Sequence, residues 1–110
     1  MRAVFRTDAS SKLGIGHLMR CMTLASELRQ HGCEILFVCR TLQGDMNSYL
    51  SDKGFQVCPI TVPECQGYDW KTDASMTMEK LSHWKDSIDW LVVDHYALDS
   101  AWESAQRPHV

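Results

Sequence analysis

Long apolar runs are missing from this chain of 110 residues: stretches such as residues 90–93 end far short of the span a membrane-crossing helix needs, about 18 residues or more. The start of the chain also lacks a secretory core, because Arg2, Arg6 and Asp8 interrupt it, so a cytoplasmic protein is expected. There is no basic excess. Eleven Lys and Arg stand against fourteen Asp and Glu, a formal net charge of −3, which disfavours general binding to a nucleic-acid backbone while leaving room for a local anion site. Five cysteines, an odd number without a C-x-x-C pair, argue against both a disulfide framework and a zinc knuckle. They are expected to be reduced and mostly buried. No repeat or low-complexity segment is present.

What remains is 45% apolar and 23% charged, the balance of one globular domain spanning residues 1–110. A short strand is predicted over Arg2–Thr7, where Val4 and Phe5 supply β-favouring side chains. A polar loop follows, and then Leu18, Cys21, Met22, Ala25 and Leu28 mark one face of a helix over residues 17–31, ended by Gly32. Residues 34–39 carry the compact run Ile35, Leu36, Phe37 and Val38, expected of a strand buried on both faces of a parallel sheet. A short helix over residues 45–53, with Asp45 as its N-cap and Gly54 as its stop, leads to a third strand over residues 55–60 that Pro59 marks as an edge. Residues 61–72 read as a loop and 73–86 as a third helix. A fourth buried strand over residues 90–93 ends in Asp94, and residues 99–106 suggest a final amphipathic turn with Trp102 on one face. Strands alternating with helices imply an α/β class: a Rossmann-like parallel sheet with helices on both faces. Such a sheet usually continues past a fourth strand, so the chain reads as part of a larger protein.

Two segments sit where an α/β sheet binds its ligands, beyond the carboxyl ends of the strands. The first runs from Asp8 through Gly14, Ile15, Gly16 and His17 to Arg20, between the first strand and the first helix. Its G-x-G allows close approach of a ligand, but Met19 stands where a dinucleotide fingerprint has its third glycine, and Cys39-Arg40 follows the second strand where that fold wants an acid. An NAD site is therefore disfavoured. His17 falls in the first helical turn, where the positive end of the helix dipole opposes imidazolium and favours a neutral ring able to accept a proton. Hydrogen bonding within the turn is the plainer alternative. Arg6 and Arg20 are candidates to face the same crevice. The second segment, Asp94-His95-Tyr96, follows the fourth strand; Asp94 and His95 would orient the base or each other, and Tyr96 would donate a hydrogen bond to a sugar or phosphate oxygen. Asp94 as a simple cap of the next turn is the competing reading. No residue cluster calls for a metal, and no cofactor is expected.

Taken together, Phe5-Arg6-Thr7-Asp8-Ala9-Ser10, the segment from Gly14 to Cys21, and Asp89 to Tyr96 with Leu98-Asp99 and Trp102-Glu103 resemble one family along the whole chain. This is the UDP-2,4-diacetamido-2,4,6-trideoxy-β-L-altropyranose hydrolases of pseudaminic acid biosynthesis, of which the chain is similar to the N-terminal half. The resemblance implies a GT-B-like enzyme with two Rossmann-like domains and a cleft between them, hydrolysing the anomeric C–O bond of a UDP-sugar with inversion. It implies His17 as the base that activates water and Tyr96 beside the sugar. Arg6, Asp8, Gly14, Ile15, Gly16, Arg20, Asp94 and His95 are the candidate substrate contacts. The expected partners are the UDP-sugar and a C-terminal nucleotide-binding domain, absent here, without which turnover should be slow or nil. An acceptor-side glycosyltransferase domain and a non-catalytic nucleotide-sugar binding module are the alternatives.

Overall fold

Alternation of apolar runs with helical spacing builds four parallel strands and three helices in the computed structural model, which describes residues 1–10, 13–61, 70–82, 88–94, 102 and 106. In chain order these are β1 (Arg2–Thr7), α1 (Gly16–Gln30), β2 (Glu34–Arg40), α2 (Asn47–Asp52), β3 (Gln56–Ile60), α3 (Trp70–Ser82) and β4 (Trp90–Asp94). All pairings are parallel and the strands lie in the order β3-β2-β1-β4. The α/β class expected from the sequence is the class observed.

Side chains alternate across the sheet, so each strand feeds two cores. On one face Ala3, Phe5, Ile35 and Phe37 pack with Leu18, Cys21, Met22 and Ala25 of α1 and with Leu50 of α2. Phe37 holds this layer together, stacking on Phe5 and meeting Phe55 edge-on, each at 5.2 Å between ring centroids. On the other face Val4, Leu36, Val38 and Ile60 pack against Leu81 of α3. Gly32 stops α1 as expected, with φ +83°, a backbone conformation that a side chain would strain.

Three elements depart from the sequence reading. The cap of α2 is Met46, because Asp45 turns its carboxylate to accept the Leu42 and Asn47 N–H groups at 2.8 and 3.1 Å instead of occupying the cap position. Helix α3 begins at Trp70 and not at Asp73: the Asp73 side chain points inward to Arg6 from within the first turn. Strand β4 is not buried on both faces. Trp90 is exposed and Leu91 to Asp94 are half-buried, since β4 pairs with β1 at the end of the sheet. Of the final amphipathic turn, Trp102 and Gln106 are described and helical; the rest of residues 99–106 lies outside the described residues. No helix among the described residues is long and apolar enough to cross a membrane.

Cys21, Cys33 and Cys39 are buried free thiols and Cys58 is half-buried; Cys65 lies outside the described residues. Burial, with the nearby Asp94 charge, pushes the Cys21 thiol up to about 11, and burial with the Asp8 charge pushes Cys39 up to about 12. At pH 8 the thiolate fraction of either is then about one in a thousand or less. Iodoacetamide at pH 8 is expected to leave both unmodified in the native protein and to label them at the rate of unfolding, as mass spectrometry of labelled peptides would check.

Candidate active site

Strands β1, β2 and β3 are laid down in one direction across the sheet, and the chain then returns through α3 to place β4 on the opposite side of β1. The reversal opens a crevice between the carboxyl ends of β1 and β4, the place where sheets of this kind bind ligands. Residues from both sides meet there. Thr7, the last residue of β1, is in register with Asp94, the last of β4. Beyond β1 the chain turns at Gly14, whose φ of +82° requires glycine and whose N–H bonds the Ser10 carbonyl at 2.9 Å, and then enters α1 at Gly16. Gly16 itself needs no glycine, since a Cβ there would meet nothing within 4 Å.

His17 therefore stands in the first turn of α1, and its Nδ1 meets Oδ1 of Asp94. Arg20, one turn further on, grips the same carboxylate with Nε on Oδ2 at 3.0 Å and Nη2 on Oδ1 at 2.8 Å. Arg20 Nη2 also lies 2.9 Å from His17 Nδ1, and the two contacts of Nδ1 demand opposite tautomers. The carboxylate decides between them. A lone pair on Nδ1 would face the anionic Oδ1 with no proton between, whereas Nδ1–H donates to it. The ring so held carries its basic lone pair on Nε2.

Arg20 holds the Asp94 carboxyl below its ordinary value, partial burial opposing and His17 adding to the effect. A group lowered on folding contributes stability above its unfolded value and loses it as pH falls through the folded one. Asp94 is thus anionic throughout the neutral range. Carbon-detected NMR titration is expected to put its protonation below that of an ordinary aspartate, and Arg20→Gln to move it upward.

Arg6 and Asp8 lie elsewhere. Side-chain alternation turns Arg6 to the α3 face, where it is fully buried, with Nε on Asp73 at 3.1 Å, Nη2 on the same carboxylate, and Nη1 on Asp8 at 2.7 Å. Asp8 also accepts the Arg40 backbone N–H and Nε, each at 2.7 Å, and Asp73 accepts Trp102 Nε1–H at 2.8 Å. This network binds β1, β2, α3 and Trp102 together beneath the sheet's carboxyl end; neither Arg6 nor Asp8 is brought to His17. Burial works against the Arg6 charge, but its bonds to Asp73 and Asp8 outweigh it and raise the guanidinium above its usual value.

Of the remaining candidates, Gly14, Ile15 and Gly16 form the exposed approach to α1, whereas His95 and Tyr96 lie outside the described residues. The sequence reading had overlooked Thr7, whose buried hydroxyl donates to the Asp94 carbonyl at 3.2 Å. The one available signal was positional: Thr7 closes β1. No group of His, Cys, Asp and Glu suited to a metal is found among the described residues. The chain matches no protein-family model, and no curated protein matches it.

Proposed function

We propose that the chain supplies the base-bearing half of a nucleotide-sugar hydrolase acting on a UDP-linked diacetamido-trideoxy sugar. One observation carries this reading: at the crevice of the sheet, the Asp94 carboxylate fixes His17 by Nδ1, so that Nε2 is the nitrogen able to accept a proton. In the reaction Nε2 takes a proton from water as the water oxygen bonds to the anomeric carbon. The bond from that carbon to the β-phosphate oxygen breaks with its electron pair leaving on UDP, and the imidazolium then returns its proton to solvent. Attack from the face opposite the leaving group inverts the anomeric centre. Diphosphate leaves as a stabilised anion, so a single base on the water side suffices on this domain. Leu13 and Ile15, both nearly half exposed beside the glycine turn, offer apolar contact to acetamido and C6 methyl groups. Tyr96 is assigned to the side of the sugar by the resemblance, and His95 before it stays a candidate to orient the base.

The test is to incubate the chain with the UDP-sugar in ¹⁸O-water, alone and with a UDP-binding second domain supplied. Free sugar of inverted configuration, labelled at the anomeric hydroxyl and formed faster with the second domain, is expected. Product that forms only when an acceptor sugar is added would assign the site to glycosyl transfer, and binding of UDP-sugar with no turnover under any of these conditions would reduce it to a binding module.

A further inference from the structure

Thr7 and His17 reach Asp94 from two different elements. His17 on α1 bonds the Asp94 side chain, and Thr7 on β1 donates its hydroxyl to the Asp94 backbone carbonyl at 3.2 Å. Three separate elements thus meet at Asp94, and the Thr7 side chain is wholly buried. The carbonyl is that of Asp94 itself, the last residue of β4, which must present its carboxylate within hydrogen-bonding reach of a ring carried by another element.

We infer that Thr7 is a positioning residue, whose hydroxyl fastens the end of β4 to β1 and so sets the alignment of the Asp94 carboxylate on His17 Nδ1. It touches no reacting atom. The inference rests on the hydrolase reading only for its kinetic consequence, since the alignment of the dyad is a property of the free protein. A displacement of about 1 Å at such a contact is enough to cost up to about 100-fold in rate.

Thr7→Val keeps the shape and removes the hydroxyl, whereas Thr7→Ser keeps the hydroxyl and removes a methyl. In ¹⁵N-labelled protein the proton shared by His17 Nδ1 and Asp94 is expected as a downfield, exchange-protected resonance. It should persist in Thr7→Ser and be lost or exchange at least about tenfold faster in Thr7→Val. Thr7→Ala removes the same hydroxyl with less bulk and is read in the same way should Thr7→Val not fold. In the hydrolysis assay, kcat is expected to fall about tenfold or more in Thr7→Val with KM little changed, and to be restored in Thr7→Ser. A folded Thr7→Val or Thr7→Ala protein with the wild-type ring-proton signal would overturn the inference. Absence of turnover in the wild-type protein would sink the hydrolase reading alone, and the ring proton would still judge Thr7.

Discussion

Replacing Arg6 with methionine is expected to destabilise the domain by about 3–5 kcal/mol, the usual cost of removing one partner from a buried ion pair. The reason is the company Arg6 keeps. Its guanidinium stands between the carboxylates of Asp8 and Asp73, all three side chains having no exposure. Methionine matches the length of the stem but leaves two buried anions facing each other, of which Asp8 retains Arg40 and Asp73 retains the weaker Thr77 and Trp102 donors. The carbonyls of Thr7 and Val38 lose a donor as well. For a domain near this size 1 kcal/mol corresponds to about 4–8 °C, so a melting temperature lower by more than about 10 °C is expected. Urea unfolding followed by circular dichroism would measure it, and a change below about 1 kcal/mol would mean that the network contributes far less than its burial implies.

The same arginine illustrates what a sequence discloses and what it withholds. The α/β architecture was legible because it depends on local periodicity: Leu18, Cys21, Met22 and Ala25 can form one buried face only as a helix, and Ile35 to Val38 can be buried throughout only as an interior strand. His17 and Asp94 were legible as neighbours because a parallel sheet brings its strand ends to one edge, whatever residues they carry. Arg6 was not, since a charged residue at a strand end points either to the crevice or beneath a helix, and the choice turns on Asp73, distant in sequence and itself mistaken for a helix start. Thr7 escaped for a related reason. Its partner comes from β4, and a threonine in a strand carries no mark of that until the register is known. Strand β4 was misjudged because apolar composition alone does not tell an interior strand from one at the end of the sheet; the order β3-β2-β1-β4 does.

Substituting His17 by alanine tests the chemistry most severely. If Nε2 takes the proton from water, the variant should keep its fold, since the ring lies at the rim of the crevice and not in either core, and kcat should fall by about 10²–10⁴-fold. Added imidazole should restore part of the rate, because a small free base can occupy the space that the side chain vacates; restoration of binding without turnover would point to a ligand contact instead. Asp94→Asn makes the complementary case. An amide can place its NH₂ toward Nδ1, which favours the tautomer with the proton on Nε2 and so removes the lone pair that must face water. The expected loss in kcat is about as large as for His17→Ala, with KM for the UDP-sugar nearly unchanged, because neither residue is assigned to hold the nucleotide. Combining the two substitutions should then cost little beyond either one, as residues acting through a single proton transfer are strongly non-additive. Additive losses would show that Asp94 contributes to the site independently of His17, through Arg20 and the charge they share.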